Sequence, residues 1–141
     1  MVGAVLVSHG DLAKGIVSSA SMLVPQIDQL ASLTLWPDDN PDEFQKKLEG
    51  AVKEVDTGDG VFILADMLGG TPANRSMYFL GDKVRMLTGL SLPMLYSFLN
   101  IREESTDIAM IAKDVMEEAK EAMVDVNEML NKSKIENGGA S

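Results

Sequence analysis

Two short apolar runs, Val2–Val7 and Val61–Ala65, constrain this chain more than any other feature. Neither alternates apolar with polar residues, so neither can rest with one face in water. Each reads as a strand buried on both faces, which is the situation of a parallel sheet covered by helices. Parallel neighbours need long crossovers, and between the runs the hydrophobic period lengthens to that of a helix.

In chain order, Leu12, Ile16, Ala20 and Leu23 fall on one helical stripe with Val17 beside it, and Asp11 is a candidate N-cap. Gln29–Trp36 reads as a second strand, closed by Pro37-Asp38-Asp39-Asn40-Pro41, which cannot continue it. A helix with Phe44, Leu48, Ala51, Val52 and Val55 inward follows, and Thr57-Gly58-Asp59-Gly60 breaks it. The third strand stops at Asp66, much as the first stops near His9. After the Gly69-Gly70 turn, Thr71 as hydroxyl cap and Pro72 at the first helical position open a helix running to Leu80. Lys83–Thr88 is a fourth strand, Pro93 opens a helix to about Asn100, and Ile108, Ile111, Ala112, Val115 and Ala119 mark another. Val124 to Asn127 alternates, which predicts a short final strand at a sheet edge or on a neighbouring subunit.

The order of elements predicts a doubly wound α/β fold with a mainly parallel sheet of order 2-1-3-4 and helices on both faces. Such sheets bind ligands at the carboxyl ends of the strands where the order reverses, which puts His9 and Asp66 at one crevice. With 141 residues and 45% apolar content, one domain over residues 1–131 is expected, followed by a polar, disordered tail over 132–141.

His9 is the single histidine, and there is no cysteine. Thiol nucleophiles, disulfides and multi-histidine metal sites are thereby excluded, and no metal or cofactor is expected. Twelve basic against 22 acidic residues give a net charge of −10, which disfavours nucleic acid and anionic membranes as partners and suits a basic protein. No run is long enough to span a bilayer and Met1–Val7 lacks the features of a signal peptide, so a cytoplasmic protein without direct membrane insertion is expected.

A neutral imidazole has one nucleophilic nitrogen, selected by where the other nitrogen's proton is held. Asp66 is placed to hold it, so His9 is a candidate phosphoryl acceptor and donor with Asp66 orienting its ring. Backbone N–H groups of Gly10, Asp11, Gly69, Gly70 and Thr71, with the Thr71 hydroxyl, are candidate phosphate contacts. There is no Walker lysine, no Gly-rich ATP loop and no acidic metal cluster, which points to a phosphoprotein donor. Met22, Met86 and Met110 are expected in the core, Met67 and Met94 on a partner-facing surface, and Trp36 in a packing role.

Ser8-His9-Gly10 after the first strand, and Ala65-Asp66-Met67-Leu68-Gly69-Gly70-Thr71-Pro72-Ala73-Asn74 after the third, resemble enzyme IIA of the mannose family of the bacterial phosphoenolpyruvate-dependent sugar phosphotransferase system. The resemblance covers roughly residues 1–130, and its specific part is Asp-x-x-Gly-Gly-Thr-Pro. It implies that His9 takes a phosphoryl group from the phosphocarrier protein HPr and passes it to an enzyme IIB. It also implies a homodimer that exchanges the final strand, Val124–Met129. Since the sequence stops at Ser141, IIB is expected on a separate chain. Two other functions remain open at this level: the phosphotransfer subunit of a dihydroxyacetone kinase, and a non-catalytic IIA-like regulatory domain. The sugar is not legible.

Overall fold

A computed structural model describes residues 1–136 of the chain. Its sheet has four strands, β1 (Gly3–His9), β2 (Leu30–Leu35), β3 (Val61–Ala65) and β4 (Val84–Thr88), in the order β2-β1-β3-β4 with every strand pair parallel. The apolar runs are explained by what covers them. Ala4, Leu6, Phe62 and Leu64 face a core completed by α1 (Leu12–Ala20), α4 (Leu92–Ile101) and α5 (Ile108–Glu121). Val5, Val7, Ile63 and Ala65 face the opposite core, completed by α2 (Pro41–Val55) and α3 (Thr71–Ser76). Alternate residues thus enter different cores and none can be polar without a partner.

Several local expectations need correction. Asp11 precedes α1 but makes no side-chain cap; Ser8 does that work, its Oγ accepting from Ala13 N–H at 2.8 Å and donating to Gly10 O at 3.0 Å. Gly70, not Thr71, holds the cap position of α3, and no side chain caps it. That helix ends at Ser76, and Met77–Phe79 tighten into a 3-10 turn. Met22 and Met110 are exposed and not core, whereas Met94 is buried and faces no partner. Trp36 is 49% exposed, so it does not serve packing alone.

The final strand expected over Val124–Met129 does not form. Val126–Glu136 is a helix, α6, and the Asp125 carboxylate accepts from Glu128 N–H at 3.1 Å at its start. A lone strand would leave its N–H and C=O groups without a ladder, whereas a helix pairs them internally. Four alternating residues are too short a pattern to override that. The sheet therefore has no antiparallel edge strand among the described residues, and the chain is exposed from Glu121 through Lys134. α6 extends into the stretch expected to be a tail, and 137–141 lie outside the described residues.

At the amino ends of the strands a buried polar network closes the sheet. Arg102, 4% exposed, donates from Nη1 to Val2 O at 3.2 Å and Gln29 O at 3.4 Å, and from Nη2 to Asp28 O at 2.6 Å. Its guanidinium lies 5.5 Å from the centroid of the Phe98 ring. Gln29, at φ 50°, donates from Nε2 to Met1 O at 2.7 Å and Val55 O at 3.0 Å.

Candidate phosphotransfer site

His9 is the last residue of β1, and Asp66 follows β3 directly. The two strands are neighbours, with Val7 opposite Ala65, and Asp66 N–H extends their ladder to Val7 O at 3.2 Å. The winding therefore brings residues 57 positions apart into contact. Asp66 Oδ2 lies 2.8 Å from His9 Nδ1 and also accepts from His9 N–H at 2.9 Å, so one oxygen holds both backbone and ring. Asp66 Oδ1 accepts from Met67 N–H at 2.9 Å.

Burial, which leaves the Asp66 side chain 10% exposed, by itself raises its carboxyl pKa. The hydrogen bonds from His9 N–H, the His9 ring and Met67 N–H, with the favourable charge of His9, outweigh it and hold the group below its ordinary value of 3.8. An ionised carboxylate only accepts, so Nδ1 carries the hydrogen in this contact and Nε2 of the neutral ring keeps a free lone pair. The imidazole is 49% exposed.

Gly70 abuts the other edge of the ring. A Cβ at this position would fall 3.0 Å from His9 Nε2 and still closer to Cε1, so only glycine leaves the ring where it is. Gly10 adopts φ 58°, which lets the chain turn sharply after His9. Its N–H is committed to Leu35 O at 2.9 Å, and so is not a free phosphate donor. Among the described residues, no backbone carbonyl accepts from the N–H groups of Gly70 or Thr71. A cleft of about 560 Å³ beside His9 is lined by Gly10, Leu35, Trp36, Pro37, Asp39, Pro41 and Thr71.

Of the candidate site residues, His9, Asp66 and Gly70 are thus in mutual contact or packed together, and Gly10 and Thr71 share the cleft with His9. Asp11 is exposed beyond Gly10 and outside the cleft lining; Gly69 is also outside it, its carbonyl accepting from Asn74 Nδ2 at 3.4 Å. Sequence reasoning left Ser8 out of the candidate residues and gave Trp36 a packing role. The signal for Ser8 is a polar residue closing a buried strand; for Trp36 it is an aromatic at a strand's carboxyl end.

A family model described as "PTS system fructose IIA component" matches residues 3–116. The chain belongs to this family. Its relatives include the fructose-specific EIIA component of Bacillus subtilis, 28% identical over 105 residues, which are 73% of this chain and 72% of that one. This IIA component is also 24% identical over 124 residues to the mannose-specific EIIAB component of Escherichia coli. That match covers 86% of this chain but only 38% of the relative's length. The crystal structure of a phosphotransferase system component EIIA from Streptococcus agalactiae shares the fold, with a TM-score of 0.83 at 24% identity over 91% of this chain and 99% of that one. Membership gives this IIA component a part in phosphotransfer within the sugar phosphotransferase system. No helix among the described residues is long and apolar enough to cross a membrane.

Proposed function

We propose that this IIA component is a phosphohistidine carrier in sugar uptake, with Nε2 of His9 as the atom that bears the phosphoryl group. The observation that supports it best is the 2.8 Å contact of His9 Nδ1 with a carboxylate held ionised, beside a half-exposed ring. In the forward step the Nε2 lone pair forms a bond to phosphorus while the nitrogen–phosphorus bond of phospho-HPr breaks. The bonding pair returns to the HPr imidazole, and no proton has to leave Nε2. Asp66 offsets the positive charge that develops on the His9 ring. The unshared N–H groups of Gly70 and Thr71, with the Thr71 hydroxyl, would contact the phosphoryl oxygens, and Asp11 and Gly69 would take at most an outer part. Transfer to a IIB is the same kind of step, with His9 as the donor. The compartment in this proposal is the cytoplasm, where HPr works.

A homodimer belongs to the same proposal. Met123, Val124, Val126, Met129 and Leu130 are exposed apolar residues that a second copy would cover. Sedimentation equilibrium of the full chain tests it.

Incubation with phosphoenolpyruvate, enzyme I and HPr is expected to give an acid-labile label on His9. A label that persists in His9→Ala refutes the assignment. Onward transfer to a IIB supports sugar uptake; transfer only to a dihydroxyacetone kinase subunit, or to no acceptor, favours one of the two other functions.

A further inference from the structure

Beside His9 stands the chain's single tryptophan, half in solvent and held in place more firmly than a loop aromatic needs to be. Trp36 N–H donates to Asp39 Oδ2 at 2.8 Å, and Asp39 N–H donates back to Trp36 O at 3.0 Å. Pro37 and Pro41 stiffen the same turn, and Leu35 O is tied to Gly10 N–H, which joins this loop to the one that bears His9. With the backbone of its turn held, a half-exposed indole offers a large contact area and only two side-chain torsions to order on binding.

Resting on the carrier function, we propose that the cleft walled by Trp36, Pro37 and Pro41 seats one apolar side chain of the phosphocarrier protein, and that Trp36 sets the affinity for that protein. His9 itself lines the cleft, so a protein that brings a phosphoryl group to Nε2 must cover it. The charge around the cleft selects the partner. Asp39 lines it, Asp38 and Asp11, each next in sequence to a lining residue, are exposed, and no lysine or arginine is among its lining residues, Asp42 being paired with Arg75. A free phosphate anion finds no counter-charge there, whereas an apolar side chain on a basic protein face fits both the walls and the rim. Trp36 is a docking residue and touches no reacting atom.

The experiment compares two phosphoryl donors on wild type, Trp36→Ala and Trp36→Phe. With phospho-HPr, Trp36→Ala is expected to raise KM about 30-fold, the size of a truncated hot spot, while kcat changes less than about twofold. Trp36→Phe should recover most of the loss. Chemical labelling of His9 by inorganic phosphoramidate, which needs no docking, should be unchanged in both variants. Unphosphorylated HPr should also shift the Trp36 emission of the wild type. An unchanged KM, equal slowing with both donors, or an emission that responds to free sugar and not to HPr each overturns the proposal. Absence of a His9 label from either donor in the wild type overturns the carrier function itself, and the docking role with it.

Discussion

The two ends of the sheet carry polar clusters of similar size and opposite exposure. At the amino ends, Arg102 is almost wholly buried and reaches three backbone carbonyls, and Gln29 reaches two more. At the carboxyl ends, Asp66 is equally well supplied with donors, but the His9 ring uses one nitrogen and leaves the other to solvent. Buried polar groups paired inside the protein hold the fold, and Arg102 does so although its Nε finds no partner. At the other end the ring that keeps a free nitrogen is half-exposed. The same strands therefore end in a clamp on one side and, on the function proposed above, a reactive centre on the other.

Substitutions at the two ends should separate these roles. The largest effect is expected for His9→Ala: phosphoryl labelling falls to background while the stability to urea stays within about 0.5 kcal/mol, since the ring is half-exposed. Asp66→Asn should slow transfer by about 10²-fold or more, because an amide can hold either ring tautomer and brings no charge. A wild-type rate in stopped-flow transfer would remove Asp66 from the mechanism. Gly70→Ala is the cleaner geometric test. The Gly70 backbone, at φ −85° and ψ 166°, suits alanine, so the only conflict is with the His9 ring, and a loss of about 10²-fold without loss of stability is expected.

At the opposite end, Arg102→Ala should lower unfolding free energy by about 2–4 kcal/mol, since it removes a donor from the buried Val2 carbonyl and from Asp28 O, while Gln29 O keeps the Ala4 N–H. Below its lowered Tm, that variant should transfer phosphate at the wild-type rate; a matching loss of rate would show that the two ends are coupled. The smallest effect concerns pH. Because the folded Asp66 carboxyl lies below 3.8, its contribution to stability is complete above that value and is lost as the pH falls through its folded pKa. The stability gap between wild type and Asp66→Asn should be present in mildly acid conditions and close as the pH falls below about 4. A gap that widens as the pH falls below about 4 would contradict the sign of the shift.

The parallel sheet was legible because Val2–Val7 and Val61–Ala65 offer no polar residue for a wet face, and the pairing of His9 with Asp66 follows once β1 and β3 are neighbours. What composition and period could not convey was tertiary choice. Ser8 and Asp11 are both able to cap α1, and only the folded loop shows that Ser8 has the reach. The alternation Val124-Asp125-Val126-Asn127 satisfies a strand pattern, but without a neighbouring ladder the segment forms a helix opened by Asp125. Exposure of Trp36, Met22 and Met110 is likewise invisible to a pattern that records only that these residues are apolar. The role of Gly70 beside the ring depends on a distance across two loops, which no local motif encodes.

One detail of the His9 mount bears on how long a phosphoryl group could stay. Asp66 Oδ2 binds both the main chain and the ring of the same histidine, so swinging the ring away would break its Nδ1 contact. On the carrier function proposed above, a phosphoryl group on Nε2 would wait on a half-exposed ring. Throughput would then depend on meeting an acceptor before hydrolysis intervenes.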